Sequence, residues 1–249
     1  MSQARVIGRS LRIYYAPGRA GRLDAFHRRF LGKGELGFDI GAHVGDRTAS
    51  FRRLGARAVA VEPQPRLHRL LRLLFRRDAG VALEATLVGA APGEAVLRLN
   101  TANPMVATAS AAFVAAAAGA PGWEGQRWDA EVIRPVTTLA ALAARHGQPD
   151  FVKIDVEGHE AAVLAGLLVP PRSLSFEFTT IQRGVAAGCL ERLAALGYRA
   201  FNACLGESMA FAHSRPVSAA AMAAWLMALP AEANSGDIYA SMEPARLLA

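Results

Sequence analysis

The chain has 249 residues, 52% of them apolar, which is ample for a sizeable core and best accommodated as one α/β domain spanning residues 1–249. No window approaches the roughly 20 uninterrupted apolar residues that crossing a bilayer takes, so no membrane span is expected; the start, Met1-Ser-Gln-Ala-Arg, lacks the apolar stretch of a signal peptide, and Cys189 and Cys204 lack metal spacing, which together predict a cytoplasmic protein. The formal net charge is +7, but Lys33 and Lys153 are the only lysines, and an arginine-dominated balance in so alanine-rich a chain reads as coding bias, so no nucleic-acid partner is expected.

In chain order, Leu11-Arg-Ile-Tyr-Tyr15 is strand-like, Pro17-Gly18 is a turn, and 24–31 reads as a helix; residues 1–35 are expected to form a cap. Strands are predicted at 36–40, 57–61, 81–88, 94–99, 131–136, 150–155, 173–178, 198–204, 208–212 and 236–241. Helices are predicted at 46–54, 65–77, 138–146, 159–168, 184–196 and 217–228. Strands alternating with helices require a parallel sheet with right-handed crossovers, here over a core at 36–241. Helix 65–77 has an apolar stripe at 67, 70, 71, 74 and 75 with arginines opposite, the pattern of a solvated helix lying on a sheet. Residues 100–126 break the alternation. A loop of that length near the carboxyl ends of strands reads as a lid, at about 100–130, with Trp123 and Trp128 either stacking on a bound ring or packing the lid down.

Two segments carry chemistry early in the core. Leu36 to Ile40 is an apolar strand that ends in Asp39-x-Gly41-x-His43-x-Gly45, and Ala58 to Val61 ends in Glu62, about twenty residues further on. The glycines allow a tight turn and close approach of a ligand, and histidine tolerates positive φ at the position where the corresponding turn of Rossmann-like methyltransferases has its middle glycine. A carboxylate placed like Glu62 accepts both hydroxyls of an unphosphorylated ribose. Neither Gly-x-Gly-x-x-Gly nor Gly-x4-Gly-Lys-Ser/Thr is present, which argues against a dinucleotide or a phosphate loop. S-adenosyl-L-methionine fits instead, with Asp39 meeting its amino group or, alternatively, only capping the next helix.

A third segment, Phe151-Val-Lys-Ile-Asp-Val-Glu-Gly-His-Glu160, is an apolar strand ending in acids and a glycine turn. With Phe38 to Gly45, Val61-Glu-Pro63, Val136-Thr-Thr-Leu139 and Gly236-Asp-Ile-Tyr-Ala240, it resembles the FkbM family of methyltransferases over roughly residues 36–241. The resemblance implies a Rossmann-like class I methyltransferase fold, a mostly parallel seven-stranded sheet whose last strand, at 236–241, inserts antiparallel. It implies S-adenosyl-L-methionine as cofactor, bound by Asp39, Gly41, His43, Gly45 and Glu62. The implied reaction is methyl transfer to an oxygen of a sugar, glycan or small secondary metabolite. The family has Asn where this chain has His43, and Ala-Leu-Gly where it has Leu87-Val-Gly89.

Candidates for removing the hydroxyl proton are Asp155, Glu157, His159 and Glu177. Lys153 shares a strand face with Asp155 and is expected to neutralise it. Acids alone do not define an octahedral site, so no metal is assigned, although the same acids suit magnesium. Two other readings stay open, methylation of RNA and a non-catalytic donor-binding partner in glycan assembly.

Overall fold

The computed structural model of the protein describes residues 3–249; the first two residues of the expected cap lie outside them. Helix α1 (Gln3–Tyr14) occupies the segment expected as a strand at 11–15. Its buried positions, Val6 and Ser10, lie four apart, with half-buried Tyr14 a turn further on. A serine within that stripe hides the helical period, leaving the alternation of Leu-Arg-Ile-Tyr-Tyr to suggest a strand. Helix α2 (Arg19–His27) starts five residues before the expected helix and gives way to turns at 28–31.

The core then runs β1 (Leu36–Ile40), α3 (Asp46–Arg53), β2 (Arg57–Val61), α4 (Pro65–Leu74), β3 (Val81–Glu84), β4 (Leu87–Val88), β5 (Gly93–Leu99), α5 (Ala111–Ala117), β6 (Ala130–Thr137), α6 (Leu139–His146) and β7 (Phe151–Ile154). It closes with α7 (Glu160–Ala165), β8 (Ser173–Thr179), α8 (Arg183–Ala195), β9 (Ala200–Leu205), α9 (Ala219–Ala228) and β10 (Ser235–Ser241). Seven strands form one sheet in the order β3-β2-β1-β7-β8-β10-β9, with β10 antiparallel to both neighbours and the pairs from β3 to β8 parallel. This is the class I methyltransferase arrangement.

Both faces of the sheet are covered, which is why its strands are apolar throughout. One face takes Phe38, Ile40, Val152, Ile154 and Phe176 against α6, α7, α8 and α9. The other packs Phe26, Phe30 and Phe51 against Phe151 and Tyr239; Phe30 stacks between the last two rings at 4.8 and 5.3 Å. Each such buried phenylalanine contributes roughly 1.5–3 kcal/mol through burial.

Several expectations are corrected. The run 81–88 divides: β3 extends the main sheet, while β4 joins a separate three-stranded sheet, β4-β6-β5, in which β5 and β6 pair antiparallel. The division falls at Thr86, whose hydroxyl donates to the Pro135 carbonyl and turns the chain toward β6. Residues 208–212 form an irregular loop rather than a strand, docked through the Ala212 N–H on the Ala203 carbonyl. Helix α4 stops at Leu74 and α7 is only six residues long. Among the described residues, no helix is long and apolar enough to cross a membrane.

Candidate active site

The turn after β1 is built by its own backbone. His43 (φ 48°) and Gly45 (φ 81°) are left-handed, as is Gly41 (φ 82°), whose N–H donates to the Val61 carbonyl. Asp39 is fully buried beneath this turn. One of its oxygens accepts from the Thr48 N–H and hydroxyl, capping α3, while the other has no partner among the described residues. Asp39 and Gly45 do not line the cavity above; Gly41, His43 and Glu62 do. Glu62, only 2% exposed, accepts from the His43 N–H and the Gln64 N–H, both at 2.8 Å, so each oxygen retains a lone pair. Burial pushes its carboxyl up to about 8, against those two hydrogen bonds, and burial pushes the His43 imidazole down to about 4.

Sheet register assembles the second half of the site. Lys153 lies between Asp39 and Ser175, and Glu177 lies opposite Asp237. Because alternate residues share a face, Asp155, Glu177 and Asp237 stand side by side at the carboxyl ends of β7 and β8 and the start of β10. The Lys153 ammonium donates to Asp155 at 2.6 Å, as expected from the sequence. Burial would raise the Asp155 carboxyl, but Lys153 outweighs it and holds the group below its ordinary value. Glu157 enters from the following loop at φ 56°, its carbonyl tied to the Thr108 hydroxyl. Burial first, then neighbouring Asp155, raise the carboxyls of Glu157 and Glu177 well above the usual range. The N-cap of α7 is His159, whose imidazole is lowered by burial alone.

One cavity joins the two halves, enclosing about 1100 Å³ of space free of protein atoms, the open mouth included. Asp155, Glu157, His159 and Glu177 all line it, together with Gly41, His43 and Glu62. The structure adds Tyr14, Arg47, Glu207 and Asp237, which sequence reasoning missed. Asp237 falls within Gly236-Asp-Ile-Tyr-Ala240, whose pattern marks only a strand, and the strand-like alternation of 11–15 hides Tyr14. Arg47 and Glu207 meet through the fold alone: Arg47 donates to both Glu207 oxygens and to Asp46, while Arg19 bridges the same two acids.

The lid contributes Pro104, Met105, Ala107 and Ala109 to the cavity wall, anchored by the Gln64 side chain on the Pro104 carbonyl. Its tryptophans do not reach the cavity. Trp123 is buried edge-on against Phe113 at 5.1 Å, and Trp128 donates to the Val106 carbonyl, so both pack the lid down.

Residues 39–200 match the family model of the methyltransferase FkbM domain. The chain belongs to the FkbM methyltransferase family. Its methyl donor is accordingly S-adenosyl-L-methionine. No curated protein matches this FkbM-family chain. Among solved structures, methyltransferase FkbM from Methylobacillus flagellatus KT is similar with a TM-score of 0.49 and 12% identity over 83% of this chain and 43% of that one, so the chain spans less than half of that protein's length. A TehB-like SAM-dependent methyltransferase from Corynebacterium glutamicum is similar over 95% of this chain and 96% of its own, at 10% identity and a TM-score of 0.44. Aeropyrum pernix fibrillarin, solved with natively bound S-adenosyl-L-methionine, covers 85% of this chain and 68% of its own at 12% identity and a TM-score of 0.46.

Proposed function

We propose that this methyltransferase moves the methyl group of S-adenosyl-L-methionine to a hydroxyl oxygen of a sugar, glycan or small secondary metabolite. The observation that carries this reading is the single cavity lined both by the Gly41, His43 and Glu62 end and by Asp155, Glu157, His159 and Glu177. In this reading Glu62 accepts the ribose hydroxyls through its free lone pairs, and Asp39 acts from below by fixing the turn and α3 through Thr48. The acceptor oxygen attacks the methyl carbon as the carbon–sulfur bond breaks, leaving S-adenosylhomocysteine, and its proton passes to a ring nitrogen of His159.

His159 suits that role better than its neighbours. Asp155 is ion-paired with Lys153 and held below its ordinary value, a weak base, while Glu157 and Glu177 crowd beside it at the wall, where burial raises their carboxyls. An imidazole lowered by burial is neutral there and able to accept a proton. Holding donor and acceptor in line supplies much of the remaining rate enhancement. The acid-rich wall disfavours a phosphate backbone, which supports a small acceptor over RNA.

Calorimetry with S-adenosylhomocysteine tests the donor half. Glu62→Ala should weaken binding by about 2 kcal/mol, two hydrogen bonds at about 1 kcal/mol each. Unchanged affinity in that variant would remove Glu62 from the ribose role.

A further inference from the structure

Four carboxylates crowd the end of the cavity away from Glu62. Asp155, Glu177 and Asp237 are lateral neighbours by register, and Glu157 reaches them from its loop; one oxygen each of Asp155, Glu157 and Glu177 lie within 4.8 Å of one another. The nearby cations are already engaged. Lys153 sits on Asp155, and Arg47 is held by Asp46 and Glu207. Among the described residues, no donor reaches the carboxylate of Glu157, which is 9% exposed, or that of Asp237, and Glu177 Oε2 is buried with none either. A buried carboxylate is ordinarily paired or hydrogen-bonded, so Glu157, which no protein donor reaches, set beside half-buried Glu177 and Asp237 on the wall of one cavity, specifies the charge of what enters it.

The donor does not balance this surplus. Its sulfonium and ammonium are offset by its own carboxylate, leaving one net positive charge against four acids and a single lysine. A neutral sugar would donate hydroxyl hydrogens but bring no charge, and a phosphorylated one would be repelled. An alkylammonium brings one positive charge and three N–H donors, one each for Glu157, Glu177 and Asp237.

Resting on the methyl-transfer reading above, we propose that the acceptor carries a protonated amine beside the hydroxyl to be methylated, as in an amino sugar or aminocyclitol, with the ammonium held by Glu157, Glu177 and Asp237. The amine then acts as the anchor that turns the neighbouring hydroxyl toward His159 and the methyl group.

The test compares three matched probes by calorimetry on the full-length protein saturated with S-adenosylhomocysteine: 2-deoxystreptamine, its di-N-acetyl derivative, and myo-inositol. The diamine should bind at least about tenfold more tightly than either neutral compound, since a charge-assisted contact contributes at least that much. Glu157→Gln and Asp237→Asn should each shrink that preference severalfold while S-adenosylhomocysteine affinity holds. Equal affinity for the three probes, or no binding of the diamine at millimolar concentration, overturns the proposal. So does magnesium binding that excludes the diamine and is lost in Glu157→Gln, because the acids then hold a metal ion. Failure of S-adenosylhomocysteine to bind the unaltered protein would instead strike the donor reading, so the two are separable.

Discussion

A Cβ on Gly41 would stand 1.8 Å from the carbonyl oxygen of Asp155, and the residue's φ of +82° is one that side chains rarely adopt. The glycine therefore lets the β1 turn lie against the β7 loop, and the two halves of the cavity meet because nothing separates them. Close approach of a ligand, the reason inferred from the sequence, is secondary to this contact. Gly41→Ala should accordingly cost on the order of 3 kcal/mol or abolish folding, read as a fall in Tm. A variant that kept its Tm and lost only S-adenosylhomocysteine binding would return the glycine to the ligand. His159 poses the complementary question, since it faces the cavity and burial holds its imidazole below the ordinary value. His159→Asn should leave S-adenosylhomocysteine affinity nearly unchanged and cut turnover by about a hundredfold or more. In the unaltered enzyme the acid limb of the kcat profile should lie below pH 6.5, because the base must be free of its proton. An acid limb above pH 7 would assign the proton to a raised carboxyl such as Glu157.

Among the elements, the lid has a small core of its own: Val106, Phe113, Ala117 and Trp123, with Trp128 and Ile181 packed against them. Its ties to the rest of the site include the Gln64–Pro104 bond, the Tyr14 hydroxyl on Met105 Sδ, and the Thr108 hydroxyl on the Glu157 carbonyl at 2.6 Å. Trp123→Ala removes about 3–5 kcal/mol of packing from that core, more than so small a unit can lose and remain closed. Limited proteolysis should cut within 100–126 much sooner in this variant, and KM for the acceptor should rise while S-adenosylhomocysteine binding changes little; an unchanged cleavage pattern would mean that other contacts close the lid. Elements whose period matched their final environment were legible from sequence. The buried strands β1, β2 and β7, with the glycine or acid at their ends, carry signals within a few residues of chain. What escaped depends on distant partners. Ser10 interrupts the stripe of α1, β4 leaves the main sheet because Thr86 bonds to Pro135, and the pairing of Arg47 with Glu207 spans 160 residues of sequence. Tryptophan in a long loop has no period at all, so stacking on a ligand and packing on Phe113 look alike until the loop is folded.

Across the whole molecule charge is unevenly placed, with exposed arginines along α4 and carboxyls gathered at the cavity. Arg66, Arg69, Arg72 and Arg76 are exposed along α4 and its end, without ion partners among the described residues, as expected of a solvated face. Inside, burial raises a set of carboxyls: Asp237 to about 6, Glu160 to about 7, Glu62 to about 8, with Glu157 and Glu177 well above the usual range. Burial lowers histidines, His27 to about 3 and His43 to about 4. The two sets act on stability in opposite windows. A histidine lowered on folding binds more protons when unfolded, so it favours the folded state increasingly from about pH 3 up to its unfolded value near 6.5, and contributes no slope beyond. A carboxyl raised on folding binds more protons when folded, so stability declines from its unfolded value near 4.5 until the folded value is passed. Above pH 6.5 only the second set still titrates. Glu62 alone should then cost about 2 kcal/mol between pH 6.5 and 9, one and a half pH units at about 1.4 kcal/mol each, and Glu160 adds to it. For a chain of this size that is a fall in Tm of about 4–8 °C or more. Thermal unfolding followed by circular dichroism from pH 6.5 to 9 should show the decline, and Glu62→Ala should flatten it. A Tm that stays level or rises over that range would mean that these acids are already ionised in the folded protein at neutral pH, held by cations other than Lys153 and Arg47.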